Sequence, residues 1–272
     1  MTRLLHLPRQ RLYRTPAVIL KRMDLGEADR IVTFYSRDVG KIRAVARGVR
    51  RTTSRSAGHL EPFTLADVLF AVGRELDVIS QADTLEAFRA IREDLVLTTY
   101  AYYLAEMVDL LTEDRMENRA VFDVLVDGLR DLSSADHGAA ADAPESGSAD
   151  ARLVLIVFHM RLLEALGYRP ELRECVTCRI TIQPERNQFS ALVGGVLCPA
   201  CGPRESSART VGTSVLKLLR FVQHNEGRRS VVVPTPVARE AEVLLRAYAE
   251  HIVERRLRSP ALIARVQEAG PA

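Results

Sequence analysis

Four cysteines constrain this chain more than any other feature of its 272 residues. They form two Cys-x-x-Cys pairs, Cys175-Val-Thr-Cys178 and Cys198-Pro-Ala-Cys201, with nineteen residues between them. Each pair sets two sulfurs on one tight turn, and two pairs complete a tetrahedral thiolate shell at a spacing typical of zinc sites. Gly194-Gly195, just ahead of the second pair, lets the chain reverse so that the pairs face each other. A shell of four thiolates leaves no open coordination position. The expected ion is therefore one structural Zn²⁺ per chain, which holds shape and does not activate water. Paired disulfides would need an oxidising compartment, and a thiol redox site needs only one Cys-x-x-Cys beside a βαβ pattern.

Met1 to Arg14 is basic but lacks the apolar centre of a signal peptide, and no run of eighteen apolar residues crosses a membrane. A cytoplasmic protein in a reducing compartment is expected. At this length two or three domains are more natural than one. The net charge is only +3, but it is unevenly spread. Residues 1–55 carry fourteen Lys or Arg against four acids, a local balance of +10. Such asymmetry fits a polyanion-binding half joined to a half with another task, and by itself it fits a solvated basic surface equally well.

Residues 17–22, 30–36, 41–47, 65–72 and 75–81 read as five short strands separated by turn signals, which suggests a small closed barrel. Arg37-Asp38-Val39-Gly40 has the composition of a hairpin turn with glycine in the left-handed position. The third strand alternates: Lys41, Arg43, Val45 and Arg47 share one face, and Ile42, Ala44 and Ala46 the other. Three cations with no acid among them then line the outward face. Arg50, Arg51 and Arg55 extend the charge into the following loop, and Lys21, Arg22 and Arg30 supply more from the first two strands. These nine are the candidate nucleic-acid contacts. Phe34 and Tyr35 could stack on bases or fill the barrel, and core is the expected place for Phe34.

From Asp83 the period changes. Asp83 and Glu86 have capping-box spacing, and Phe88, Ile91 and Leu95 open a helical stripe that runs to Leu111. A second stripe covers Val121 to Leu132 and a third Leu153 to Leu163, with a polar stretch at 133–150 between them. Further helices are expected over 215–222 and 237–252, with Thr235-Pro236 as cap and first turn. Twelve acids against five basic residues over 82–135 make that part of the bundle a scaffold or protein-docking surface. The expected fold is α+β and multidomain. It has an N-terminal OB-fold barrel (1–82, with 1–11 as an extension) and an all-helical domain (83–169 and 210–272). A four-cysteine zinc module (170–209) is inserted in the helical part.

Catalytic patterns are absent from the sequence. There is no HExxH, no Gly-x-Ser-x-Gly, and Gly40-Lys41 lacks the upstream glycine of a phosphate-cradling loop. His159, inside an apolar stripe, reads as a hydrogen-bonded core residue. The chain is therefore not expected to be an enzyme, with a zinc-stabilised nuclease and an OB-type RNA-binding adaptor as the alternatives.

Several runs resemble the bacterial recombination mediator family RecO: Glu27-Ala-Asp-Arg-Ile-Val-Thr33, Gly40-Lys-Ile-Arg-Ala-Val-Ala-Arg-Gly48 and His59-Leu-Glu-Pro-Phe63. Leu166-Gly-Tyr-Arg-Pro170 and Gly194-Gly-Val-Leu-Cys198 are similar too. The resemblance implies binding of single- and double-stranded DNA, annealing of complementary strands without ATP, and partnership with RecR. It further implies contact with the acidic C-terminal tail of single-strand-binding protein, to help RecA load during DNA repair. A nucleoid-associated place within the cytoplasm follows from those roles.

Overall fold

In the computed structural model, which describes residues 11–51, 57–135, 146–224 and 233–269, the sheet begins with β1 (Leu12–Leu25). It continues through β2 (Asp29–Ser36), β3 (Gly40–Ala46), β4 (Leu65–Ala71) and β5 (Asp77–Glu86). The five close into a barrel in the order β1-β2-β3-β5-β4, the strand order of an OB fold. β1 is long enough to pair antiparallel with both β2 and β4, and a bulge between Ile19 and Lys21 bends it between the two. β3 meets β5 in parallel register only at Ala44 and Val45, so the rest of that edge is unpaired by β5.

The β-period of two fills this barrel. Ile19, Val32, Phe34, Ile42, Ala44, Val68 and Phe70 point inward, with Phe34 and Phe70 meeting edge to face at 5.3 Å. Each large side chain so buried contributes roughly 1.5–3 kcal/mol. The Arg37–Gly40 turn has its glycine at φ +77°, as expected.

β5 runs further than the sequence suggests. Asp83 pairs with Asp67 of β4 and accepts from Arg14 Nη2 at 2.9 Å, so the capping-box spacing of Asp83 and Glu86 falls on a strand. Long-range pairing with β4 has overridden a local helix signal. The first helix, α1 (Arg89–Glu93), begins after Phe88, and the capping carboxylate is Asp94, whose Oδ1 accepts from Leu97 N at 2.8 Å. That cap opens α2 (Leu95–Leu111).

The remaining helices are α3 (Arg119–Ser133), α4 (Ser146–Ala165), α5 (Thr213–His224), α6 (Thr235–Ile252) and α7 (Ser259–Ala269). Pro234, not Thr235, holds the cap position of α6, with Pro236 in its first turn. Of the expected 133–150 loop, 136–145 lies outside the described residues, and 146–150 are the opening turn of α4. α7 is unanticipated: Glu106 of α2 supplies its cap, accepting from Arg258 N and Ser259 N at 2.8 Å each.

The cysteine stretch adds a small sheet in the order β7-β6-β8, from β6 (Gln188–Ser190), β7 (Gly195–Leu197) and β8 (Arg209–Thr210). Its Phe189, Val196, Leu197, Cys175 and Cys198 share one hydrophobic cluster with α4, α5 and α6, including Met160, Leu219 and Leu245. The chain divides into two compact units. The barrel unit takes in residues up to 87 and also 112–122, and the helical unit holds the rest, cysteine module included.

Candidate metal centre and nucleic-acid interface

The four cysteine Sγ atoms lie within 4.8 Å of one another, and none is in a disulfide. Cys178 and Cys198 sulfurs are 3.8 Å apart. A tetrahedral shell with metal–sulfur bonds of about 2.3 Å has an edge of about 3.8 Å, so the donor set fits zinc in both chemistry and size. Two tight turns build it. Arg179 N donates to Cys175 O at 2.9 Å with Arg179 at φ +63°, and Gly202 N donates to Cys198 O at 2.9 Å. The turns are brought together at Gly195, where a Cβ would lie 2.6 Å from Glu171 O. The glycine pair thus acts by close backbone approach as well as by reversing the chain.

Burial raises the cost of a Cys175 thiolate, but backbone N–H groups of Cys178, Cys198 and Thr177 outweigh it and bring the thiol down to about 6. Hydrogen bonds with the Cys198 and Cys178 sulfurs push Cys201 up to about 12. Four thiolates this close repel one another unless a cation sits among them. The cluster can hold a metal ion, with Cys178 its exposed member and the other three buried.

On the barrel, cross-strand register sorts the candidate cations onto two faces. Lys21, Thr33 and Arg43 are direct partners across β1, β2 and β3, as are Met23, Ile31 and Val45 one step along. Arg47 follows on from β3. Lys21, Arg43 and the 61 %-exposed Met23 therefore share the outward face, cations interleaved with apolar groups, while Arg47 is exposed in the turn just beyond it. Arg22 and Arg30 lie on the opposite side, in line with core residues Val32 and Ala46. There Arg22 pairs with Glu61 at 2.5 Å and Arg30 with Asp24 at 2.8 Å. Arg50 donates to Gly26 O at 3.0 Å and reaches Asp24 at 3.6 Å. The Arg30 hydrogen bond holds the Asp24 carboxyl below the usual carboxylate range against the opposing effect of burial, with the charge of Arg50 adding to it. Arg47 and Arg51 are exposed and make no ion pair among the described residues. Arg55 lies outside the described residues.

Sequence reading missed the segment 112–122, which returns to the barrel after α2. Arg115 N donates to Lys41 O at 2.9 Å, extending the edge of β3 where β5 does not reach. Lys41 Nζ donates to Thr112 O at 2.6 Å, and its side chain is only 11 % exposed. Arg43 Nε donates to Asp114 Oδ2 at 3.1 Å, and Nη2 lies 3.1 Å from the same oxygen. Tyr35, fully buried, donates to Asn118 O at 3.3 Å, and burial pushes its phenol up to about 12. It is neither barrel core nor an open stacking platform. The outward strand face thus carries an acid after all, delivered from 71 residues away. No local pattern signals it.

A buried carboxylate anchors the segment. Asp77, with no exposed surface, accepts from Arg115 Nη2 at 2.7 Å, from Gly73 N at 3.1 Å and from the Tyr13 hydroxyl. In the helical unit His159 is fully buried against Tyr103, whose hydroxyl lies 3.0 Å from Nε2. That matches the core role expected of it.

Two family profiles cover nearly the whole chain: "Recombination protein O N terminal" over residues 10–88 and "Recombination protein O C terminal" over 92–261. The chain is 40 % identical to "DNA repair protein RecO" of Roseiflexus sp. (strain RS-1), over 96 % of this chain and 88 % of that one. It is 36 % identical to the protein of that name from Nocardioides sp. (strain ATCC BAA-499 / JS614), over 93 % of this chain and all of the relative. The counterpart from Pelotomaculum thermopropionicum is 33 % identical, over 95 % and 96 %.

Proposed function

This chain belongs to the RecO family of DNA repair proteins, and from that premise we propose that it mediates recombinational repair by holding DNA on its barrel and annealing complementary strands without ATP. Annealing two polyanions requires that their charge be screened while they approach. The observation that carries this reading is the outward β1–β3 face, where Lys21 and Arg43 alternate with Met23, Ile31 and Val45, with the exposed Arg47 in the turn that follows. Cations at that spacing meet phosphates, and the apolar groups between them meet bases. Arg51, and Arg50 with its partial pairing, extend the track past β3. Lys41 contributes less than the sequence suggested, being buried under 112–122. Arg22, paired with Glu61, and Arg30, paired with Asp24 across the β1–β2 hairpin, stay in the proposed set with part of their charge engaged. Arg55 remains in the proposed set.

The metal proposed for the cysteines is zinc, one per chain, held by Cys175, Cys178, Cys198 and Cys201 for structure alone. Partnership with RecR and with the single-strand-binding protein tail, in aid of RecA loading, is proposed with the same function, as is a cytoplasmic, nucleoid-associated location. Among the described residues no helix is long and apolar enough to cross a membrane. A groove of about 490 Å³ in the helical unit supports peptide docking, with Phe189, Val243, Leu244 and Ala247 along it. Arg209, Arg255 and Arg256 stand at the groove. Its Glu240 and Glu250 are turned to Gly212 N and Leu257 N, and with Glu254 they balance the three arginines, so an acidic tail would have to pair with Arg255 and Arg256 directly.

The test is annealing of complementary oligonucleotides coated with single-strand-binding protein, without ATP. Acceleration by the protein is expected. Strand cleavage on adding Mg²⁺ or Mn²⁺ would identify a nuclease instead, and RNA outcompeting single-stranded DNA would identify an RNA adaptor.

A further inference from the structure

Resting on the reading that the barrel's outward face holds DNA, we propose that Asp114 is a built-in competitor for the phosphate at Arg43, so that a DNA strand gains this guanidinium only by displacing a carboxylate of the same chain. Arg43 Nε donates to Asp114 Oδ2 at 3.1 Å with Nη2 3.1 Å from the same oxygen, so the guanidinium edge that would face a phosphate is turned to this carboxylate. Both side chains are about half exposed, 56 % and 46 %, so water and salt reach the pair and exchange is cheap. Lys21, two strands away in the same register, and Arg47, further along, would hold the strand on either side of Arg43.

The carboxylate is separable from the segment that carries it. Residues 112–122 stay seated through Arg115 N on Lys41 O at 2.9 Å, Arg115 Nη2 on Asp77 at 2.7 Å and Lys41 Nζ on Thr112 O at 2.6 Å. Among the described residues Asp114's side chain pairs with Lys41 and Arg43 alone. Lys41 is too buried to change sides, with 11 % exposure. Arg43 is the group that can swap partners. A phosphate that replaces one anion with another adds little net affinity, and this suits a protein that must release strands once they have paired.

Fluorescence anisotropy of a labelled oligo-dT across a KCl series tests this with four proteins: wild type, Asp114→Asn, Arg43→Ala and the double variant. Asp114→Asn is expected to bind about three- to tenfold more tightly, with a salt slope steeper by about 0.7, equivalent to one further phosphate neutralised. Arg43→Ala alone should change affinity less than about twofold, and in the Asp114→Asn background it should erase the gain. Asp114→Ser, expected to behave alike, replaces the asparagine variant if that one melts early. Wild-type affinity and slope in both Asp114 variants would overturn the proposal while leaving DNA binding intact. Absence of wild-type binding at about 50 mM salt would instead remove the reading beneath it.

Discussion

Arg115 Nη2 donates to Asp77 Oδ2 at 2.7 Å, and the carboxylate so held has no exposed surface. The arginine lies 38 residues beyond its partner, after a strand and two helices. A buried anion at the start of β5 is thereby neutralised by a segment outside the five strands. Burial disfavours the charged Arg115 guanidinium, but the Asp77 hydrogen bond and charge outweigh it and leave the group more basic than usual.

Arg115→Ala should therefore destabilise the chain by about 1–3 kcal/mol, because Asp77 keeps Tyr13 and Gly73 N but loses its counter-charge. Urea unfolding measures it. An unchanged midpoint would show that the ion pair contributes nothing.

Cys178→Ser should abolish stoichiometric zinc and lower the melting temperature of the helical unit, since structural metal binding contributes folding free energy. Elemental analysis alongside thermal denaturation reads both. Zinc-free wild-type protein with the same melting temperature would refute the metal assignment.

Arg47→Glu with Arg51→Glu should weaken single-stranded DNA binding across sequences and flatten the salt slope by roughly 1.4, the share of two phosphates. Circular dichroism should be unchanged, because among the described residues neither side chain has an ion pair to lose. Retained affinity with a native spectrum would move the interface elsewhere on the chain.

Burial, then the nearby Arg246, lowers His159 to about 3 from an ordinary value of 6.5. Between those limits the unfolded chain binds the additional proton. Stability from this group is whole above about pH 6.5 and falls as the medium is acidified, by up to about 1.4 kcal/mol per pH unit. His159→Gln should show a shallower loss of stability from pH 7 to 5 than wild type. Parallel curves would mean that the imidazole does not titrate in this way.

Arg255→Glu with Arg256→Glu should reduce binding of an acidic peptide with an apolar C-terminus by roughly tenfold while leaving affinity for oligo-dT unchanged. Calorimetry separates the two ligands. Equal peptide affinity would exclude the groove.

Local pattern carried the barrel strands, because alternation over Lys41 to Arg47 records which side faces the core whatever lies beyond. It carried the thiolate cluster for the same reason: four identical donors at fixed spacing leave few arrangements. Where partners are distant in sequence, pattern failed. The capping-box spacing at Asp83 lost to pairing with β4, the cap of α7 comes from Glu106, and Asp114 reaches Arg43 from 71 residues away. Tyr35 illustrates the limit: its period marks it as outward, and only the returning segment makes it buried.

The segment 112–122 also has a bearing on how the molecule is made and dissected. During translation the five strands emerge from the ribosome before the guanidinium that neutralises Asp77 and the backbone that completes the edge of β3. The chain must be made as far as Arg115 before that clasp can form. A recombinant fragment cut where the N-terminal homology ends, near residue 88, would omit that clasp. Grafting 112–122 back onto such a fragment would restore the counter-charge of Asp77 and the backbone partner of Lys41.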